Sequence, residues 1–475
     1  MSTTLRALVV EVDGASPRTL DPLFDRGALP VLSSIAETGA SGPLGSQGLL
    51  HGTSTWASLH TGTNPGKHGV FGPFVYDGYD WRRTGVNAPR EPALWEILAY
   101  HGLRSVVVNV PFATPEESVV VVPAACPRAP TLDADLARVR ESIGEYRLVP
   151  EPETDDGSAL ARQRSAAFAH LLDRTEPDVG IVRFESGGQS DADREAVFRA
   201  IDSEVGRLLE VVDADLVVVT SAYGLAPTCG HEVRVNEFLR RQGYLEAGPC
   251  RGRPATPGES ECVTEPISSP IERVIGGTRR VLPRGLLRGG ARSVDFASST
   301  AYLRSPAEYG LRVNRRGREP EGIVGEKVYE GVRSELIETL RDLTAPNGDP
   351  AFADVIRREA HLWGPSVDDA PDVVAVPNDG ISLSTSLGGQ VFADGGETPC
   401  RTPTGYLAMT GRGVEPRALS DAHLFDVAPT VLAALSLPIS DRMDGTPLPV
   451  VSRPERMSYP QPTGDAAVET DGGRR

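Results

Sequence analysis

The sequence predicts an α/β protein with a doubly wound, mostly parallel sheet that is flanked by helices. Short apolar runs rich in β-branched residues alternate with helical patterns, which is the arrangement of parallel β-α-β units. The 50 glycines and 40 prolines fit many short loops between these elements. The predicted strands are Ala7–Val12, Ser105–Val110, Val179–Phe184, Leu216–Thr220, Val373–Val376 and Tyr406–Thr410.

Helical patterns occupy the segments between and after these strands. The amphipathic pattern is clearest in Val324–Leu343, where Val328, Val332, Leu336 and Leu340 recur at helical spacing and predict one buried face. The other predicted helices are Leu29–Ala36, Ala93–Tyr100, Asp191–Val212 and Val427–Leu435.

Composition divides the chain into four segments. Residues 1–247 are predicted to form the N-terminal part of an α/β domain, and residues 294–451 its C-terminal part. Between them, residues 248–293 are rich in Pro, Gly and Arg and predict a loop-rich insertion or the edge of a small cap. Residues 452–475 are polar with little to bury, so they are predicted to be disordered.

The charge balance argues against two classes of partner. A formal net charge of −17 repels the phosphates of nucleic acids and of anionic membranes. No apolar run approaches the roughly 20 residues that span a bilayer, and the N-terminus lacks the pattern of a signal peptide. We therefore expect neither partner and predict a soluble, cytoplasmic protein, while the sequence does not indicate an oligomeric state.

Cysteine usage points to the same compartment. The five cysteines are scattered and contain no C-x-x-C pair. Isolated reduced thiols are the favoured interpretation, and a disulfide framework or a zinc cluster is the alternative. The residues are Cys126, Cys229, Cys250, Cys262 and Cys400.

Several segments, in order, resemble one known family. "VEVDGASPRTLDPLFDRGALP", "TWASLHTGTNPGKHGVFGPF", "VVVNVPFATPEE", "LVVVTSAYGLAPT" and "DVAPTVLAALSLPISDRMDGTPL" are similar to the type I phosphodiesterase/nucleotide pyrophosphatase branch of the alkaline phosphatase superfamily. The resemblance extends from about Leu8 to Leu448. It implies the alkaline phosphatase-like fold and a phosphoric ester hydrolase as the ancestral activity.

The resemblance also implies a metal-dependent chemistry. In this family two divalent ions, usually zinc, hold a phosphoryl group and activate a Thr or Ser nucleophile. Each ion needs about three protein ligands of the Asp or His type. One ligand corner normally reads S-D-H-G, whereas this chain reads Ser-Ala-Tyr-Gly over residues 221–224.

Matched position by position, most of the implied ligands are missing. Asp13 retains a carboxylate, although an Asp before Gly14 also caps turns. Alanine has no ligand atom, a neutral tyrosine is a poor ligand, and arginine has no lone pair to donate. The two divalent metals are therefore not expected to be retained. The replaced positions are Ser186, Ser190, Ala222, Tyr223 and Arg401.

Other residues could supply the missing nucleophile and the missing metal ligands. The implied nucleophile position is Gly52, and a shift of one residue would make Thr53 the nucleophile, although a hydroxyl there also suits a helix cap. Asp191 and Asp193 could substitute as ligands, but they also suit the start of a helix. His51 and His231 are the histidines nearest these segments and could contribute to a rebuilt metal site.

Two functions follow, and they differ in class. The favoured one is a catalytically degenerate member in which Arg401, near Thr53 and Asn109, binds a small anionic ligand, or which interacts with a protein partner. Alternatively, Arg401 pairs with Asp13 or another acid. The rival function is an active metal-dependent phosphodiesterase, nucleotide pyrophosphatase or phosphatase with a non-standard metal site. Metal-free transfer chemistry at Tyr223 or Thr53 has no support in the sequence.

Overall fold

A computed structural model describes most of the chain. The described residues are 3–46, 52–124, 132–148, 156–186, 191–249, 292–395 and 399–462. Their helices are α1 (Pro17–Asp25), α2 (Pro30–Thr38), α3 (Gly52–Thr61), α4 (Pro65–His68), α5 (Leu94–Tyr100), α6 (Leu132–Ile143), α7 (Gly157–Thr175), α8 (Asp191–Val211), α9 (Val235–Arg241), α10 (Glu326–Arg341) and α11 (Val427–Ala434).

The strands are more numerous and mostly short. They are β1 (Thr3–Leu5), β2 (Ala7–Val12), β3 (Ala40–Gly45), β4 (Phe74–Asp77), β5 (Asp80–Arg83), β6 (Ser105–Val108), β7 (Val119–Val122), β8 (Val179–Phe184), β9 (Val212–Ala214), β10 (Leu216–Ser221), β11 (Gly224–Thr228), β12 (His231–Arg234), β13 (Glu246–Pro249), β14 (Arg292–Asp295), β15 (Ala301–Leu303), β16 (Gly310–Val313), β17 (Phe352–Arg357), β18 (Val373–Pro377), β19 (Ile381–Ser384), β20 (Phe392–Asp394), β21 (Pro399–Thr402), β22 (Thr404–Gly411), β23 (Arg417–Ala418), β24 (Ala422–His423), β25 (Ile439–Ser440) and β26 (Arg456–Met457).

The largest sheet of the described residues is mixed but mostly parallel, as predicted. Its order is β7-β6-β8-β2-β10-β22-β3-β23, and β24 also pairs with β3. Strands β2, β6, β7, β8 and β10 run parallel, whereas β22 is antiparallel to both β10 and β3. The predicted α/β class is confirmed.

Helices cover both faces of this sheet. Every residue of β2 is buried, as is typical of a parallel strand with helices on each side. Val9 packs in the cluster that includes Trp56 of α3 and Trp95 of α5, whereas Leu8 and Val10 pack on the opposite face. The alternation along β2 therefore fixes which helices lie on which face.

A smaller antiparallel sheet has the order β15-β16-β18-β17 and packs against α10. The segment Val373–Val376, predicted as a strand of the doubly wound type, belongs to this second sheet. Leu336 and Leu340 of α10 are fully buried, as predicted. Val328 is 56% exposed, so the predicted apolar face is wrong at that residue; Tyr329 occupies the buried position instead.

The insertion and the tail are described only in part. Strands β13 and β14 pair with each other at the two ends of the predicted insertion, and residues 250–291 lie outside the described residues. The prediction of a disordered tail is wrong for residues 452–462. Strand β26 pairs with β25, and Tyr459 is buried and donates a hydrogen bond to the carbonyl of Pro438. The remaining tail residues lie outside the described part.

Among the described residues, no helix combines the length and the apolar character needed to cross a membrane.

Candidate functional site

Parallel strands bring the predicted site residues to one edge of the main sheet. Strands β2, β6, β8 and β10 end at the same edge, where ligands bind in open α/β folds. Asp13 follows β2, Asn109 follows β6 and Ser186 lies two residues beyond β8. Ala222 and Tyr223 follow β10, so four chain segments meet at this edge.

Asp13 is held by an arginine. Arg183 Nε donates to Asp13 Oδ1 at 2.9 Å, and Arg183 Nη2 donates to Asp13 Oδ2. The register of β2 and β8 places this arginine, because Glu11 lies opposite Arg183 and the Asp13 amide donates to the carbonyl of Phe184 at 3.0 Å. The alternative in which Arg401 pairs with Asp13 is wrong, since the carboxylate is paired with Arg183.

Burial and charge act together on this pair. Only 11% of the Asp13 side chain and 13% of the Arg183 side chain are exposed. Burial raises the pKa of the Asp13 carboxyl, and the positive charge of Arg183 opposes that rise. Burial also disfavours the charged form of Arg183, but Asp13 and Glu185 outweigh it and raise the arginine pKa above its ordinary value. The guanidinium therefore stays charged beside Asp13.

Neighbouring groups fix Arg183 in place. Asn109 has a left-handed backbone with φ of 62°, its Nδ2 donates to the Arg183 carbonyl at 2.9 Å, and its own carbonyl accepts from Arg183 Nη1 at 3.3 Å. The guanidinium carbon lies 5.4 Å from the centre of the Trp56 ring. The predicted anion-binding residue Asn109 thus contacts Arg183 through both its backbone and its side chain.

A second buried ion pair lies beside the first. Glu185 accepts two hydrogen bonds from Arg164, at 2.9 and 3.2 Å, and Arg164 also donates to the carbonyl of Arg147. The arginine is fully buried. The pKa of Glu185 is depressed, because the charge and hydrogen bonds of Arg164 outweigh the effect of burial.

The Tyr223 ring lies where a side chain at position 52 would lie. A Cβ atom placed on Gly52 would be 2.9 Å from Cε1 of Tyr223, closer than such atoms approach in proteins. The tyrosine is 6% exposed and packs edge-on against Trp56, with ring centres 6.2 Å apart. The absence of a side chain at position 52 and the presence of a tyrosine at position 223 are therefore sterically linked.

Arg401 lies on the solvent side of Tyr223. It is exposed, and its guanidinium carbon lies 5.0 Å from the centre of the tyrosine ring. Its strand β21 pairs with β11, and Arg401 is opposite Leu225 in that register. Burial raises the pKa of Tyr223, and the charge of Asp13 raises it further, so the phenol is neutral at pH 7.

A disulfide joins the two strands that carry this contact. Cys229, next to the end of β11, is bonded to Cys400 of β21, with Cα atoms 5.5 Å apart. The prediction of reduced thiols is wrong for this pair, and the cytoplasmic prediction loses the support it took from them. Cys126, Cys250 and Cys262 lie outside the described residues.

The other predicted site residues differ in burial and in how fully the structure describes them. Ser186 is 2% exposed, and its hydroxyl has no hydrogen-bond partner among the described residues. Thr53 is half-buried in the first turn of α3. Asp191 begins α8, as the helix-start interpretation predicted. Ser190 and His51 lie outside the described residues.

The described residues do not fit two divalent ions. They contain no group of three His, Cys, Asp or Glu side chains that could hold a metal. Both carboxylate oxygens of Asp13 accept from Arg183, Ala222 offers no donor, and Tyr223 is a neutral phenol. Two guanidinium groups would also repel a cation. No catalytic step through a metal is therefore derived for this site.

The sequence patterns did not single out Arg183. Its position in an otherwise apolar strand was the signal that could have identified it, because a charge in a buried strand requires a partner. Asp13 was predicted to follow the first strand. Only the pairing of β2 with β8, which joins residues 170 positions apart, brings the two together.

The fold and this edge define an α/β protein of the alkaline phosphatase-like class. The chain belongs to the type I phosphodiesterase/nucleotide pyrophosphatase family, whose model matches residues 7–406. No curated protein matches the sequence.

Solved structures agree on the fold. Phosphonoacetate hydrolase from Sinorhizobium meliloti 1021, in complex with phosphonoformate, is 18% identical with a TM-score of 0.56, covering 90% of this chain and 95% of that one. Wild-type alkaline phosphatase PafA is 11% identical with a TM-score of 0.54, covering 95% and 99%. At such identities the similarity establishes the architecture alone.

Substitution of Asp13 tests the buried ion pair. We expect Asp13→Ala to lower the free energy of unfolding by about 3–5 kcal/mol, because it leaves the Arg183 charge buried without a partner. The double variant Asp13→Leu/Arg183→Met should be less destabilised than the single variant. Urea unfolding measures both, with exposed Asp25→Ala as the control. Equal stability of Asp13→Ala and the control would contradict the pairing.

Substitution of Gly52 tests the steric link to Tyr223. We expect Gly52→Ser to destabilise the protein by about 1–3 kcal/mol, because the new side chain meets the tyrosine ring. In a Tyr223→Ala background the same change should cost less than about 0.5 kcal/mol. A double-mutant cycle by urea unfolding measures the coupling, and additive effects would show that the two positions do not share space.

Proposed function

We propose that this protein has lost the two-metal phosphohydrolase chemistry of its family and uses the retained site to bind a small anion. The observation that carries the proposal is the paired contact between Arg183 and both carboxylate oxygens of Asp13. An arginine here provides a fixed positive charge at the edge where the family mechanism requires metal ions.

Competition between a metal and Arg183 supports the loss of metal chemistry. A divalent ion at Asp13 would have to displace the guanidinium from both oxygens. Arg183 would then be buried without a counter-charge, and leaving such a charge unpaired costs about 3–5 kcal/mol. A single carboxylate gives too few ligands to offset that cost.

The nucleophile side of the reaction has changed as well. Gly52 has no side-chain oxygen, and the Tyr223 ring leaves no room for one. Activation of a hydroxyl nucleophile needs a metal or a base, and the one acid retained from the implied ligand set, Asp13, is bound to Arg183. We assign no catalytic role to Thr53.

The charges around the edge favour an anionic ligand. Among the described residues here, Asp13 and Glu185 are balanced by Arg183 and Arg164, whereas the exposed Arg401 forms no ion pair. Its planar guanidinium suits bidentate binding of phosphate, sulfate or carboxylate. Tyr223 is neutral and adds no opposing charge.

Because the chain belongs to this family, an active hydrolase is the alternative function. An active phosphodiesterase or pyrophosphatase with a non-standard metal set would need ligands beyond those described here. No contact among the described residues argues for a protein partner, and the compartment stays a prediction.

Metal content and turnover test the loss of chemistry. Purified protein, reconstituted with zinc or manganese, should bind less than one ion per chain and hydrolyse bis(p-nitrophenyl) phosphate no faster than Asp13→Asn and Thr53→Ala. Asn keeps the size of Asp13 but not its charge, so Thr53→Ala, which leaves the Asp13–Arg183 pair intact, serves as the folded control. Metal-dependent turnover in the natural protein that is lost in Asp13→Asn would overturn the proposal in favour of an active enzyme.

Anion binding is tested separately. We expect phenyl phosphate to bind and to raise the melting temperature, and Arg401→Gln to weaken the affinity by at least about tenfold, because a charged hydrogen-bond donor is lost. Calorimetric titration measures the affinity. Arg412→Gln, which removes an equally exposed arginine elsewhere, should leave it unchanged. If both variants lost affinity equally, the effect would come from the overall charge of the protein, and the site at Arg401 would be rejected.

A further inference from the structure

A cavity lies away from the sheet edge, near the C-terminal end of α3. Its volume is about 210 Å³, and its lining includes His60, Trp95, Glu96, Phe112 and Glu116. His60 lies eight residues beyond Gly52, which corresponds to about 12 Å along a helix. Trp56 contacts both Arg183 and His60, so it lies between the two regions. The cavity is therefore separate from the anion site.

Two buried polar atoms of the lining have no partner. His60 is 2% exposed and Trp95 is 1% exposed, and neither His60 Nδ1 nor Trp95 Nε1 forms a hydrogen bond with the described residues. His60 Nε2 lies 2.7 Å from Glu11 Oε1. With Glu11 as the acceptor, Nε2 carries a proton, and in the neutral imidazole Nδ1 is then an acceptor. Buried atoms of this kind normally have a partner.

Two carboxylates share the same space. Glu96 accepts a hydrogen bond from the Ala93 amide at 2.7 Å, and Glu116 lies at the exposed rim. Neither forms an ion pair with a cation of the described residues. Burial raises the pKa of Glu96 to about 7, and the negative charge of Glu116 acts in the same direction. A bound cation would relieve this repulsion.

We propose that this cavity binds a small organic ammonium ion. His60 Nδ1, Glu96 and Glu116 provide acceptors for its N–H groups, and the rings of Trp95 and Phe112 offer faces for a cation–π contact. An acceptor atom on the ligand or a bound water would pair with Trp95 Nε1–H. The overall charge of −17 attracts cations to the protein.

An adjoining cavity provides a route of entry. It has a volume of about 390 Å³, shares Glu96, Glu116 and Pro462 with the first, and is bordered by Tyr100, which is 55% exposed. A ligand entering there passes the two carboxylates before it reaches Trp95. Selection for positive charge would thus act at the entrance as well as inside.

Calorimetric titration with benzylamine tests the proposal, with benzyl alcohol as the uncharged analogue. We expect one benzylammonium per chain at pH 8 and no heat of binding from the alcohol. Glu96→Gln should weaken the amine by at least about tenfold, because a charged hydrogen bond is lost. Glutamine keeps an oxygen for the Ala93 amide, so this variant should fold. Glu335→Gln, at an exposed position of α10 that lines neither cavity, should bind normally.

The pH dependence gives a second readout. The affinity for benzylammonium should rise between pH 6 and pH 8 as Glu96 loses its proton. The Ala93 amide donates to this carboxylate, and Glu116 acts on it through its charge. His60 lines the same cavity and Glu117 the adjoining one. A lost negative charge or an added positive charge at any of these side chains would weaken cation binding, so the sign is the same for all. Absence of amine binding at pH 8, equal affinity of Glu96→Gln, or equal binding of benzyl alcohol would each overturn the proposal.

Discussion

A carboxylate buried at the end of a central strand needs a positive partner, and this requirement governs the site. Arg183 from the neighbouring strand is that partner. Because β2 and β8 pair in parallel, the two side chains meet without any distortion of the sheet. Asn109 and Trp56 then hold the guanidinium from its other sides. The pairing of the two strands therefore sets the position of the ion pair, and the ion pair sets the positions of the side chains around it.

The replaced ligand positions are physically connected rather than independent. Tyr223 packs against Trp56 and against the backbone of Gly52, and Arg401 lies over the same ring. Ala222 is buried within the apolar cluster of the sheet face. Aromatic packing and a cation–π contact therefore join these positions. A substitution to Asp or His at any one of them would disturb its neighbours.

Much of the fold followed from local patterns, because buried strands and amphipathic helices leave periodic signals in the sequence. The strands Ala7–Val12 and Val179–Phe184 were predicted with the observed bounds. Val328 was assigned to the wrong face because several helical faces fit a stretch where Tyr329 and Arg333 are also buried. The pairing of Arg183 with Asp13 and the Cys229–Cys400 bond could not be predicted, since each joins residues about 170 positions apart and local patterns carry no information about such pairs.

The disulfide makes the placement of Arg401 conditional on the chemical environment. Arg401 is placed over Tyr223 by β21, a short strand next to the Cys400 sulfur, and β21 is anchored to β11 by a few backbone hydrogen bonds and by this covalent bond. In an oxidising compartment the covalent bond reinforces this pairing. In a reducing compartment the same residue would belong to a strand held by backbone pairing alone. Two cellular locations would thus give one sequence two different degrees of preorganisation around Arg401.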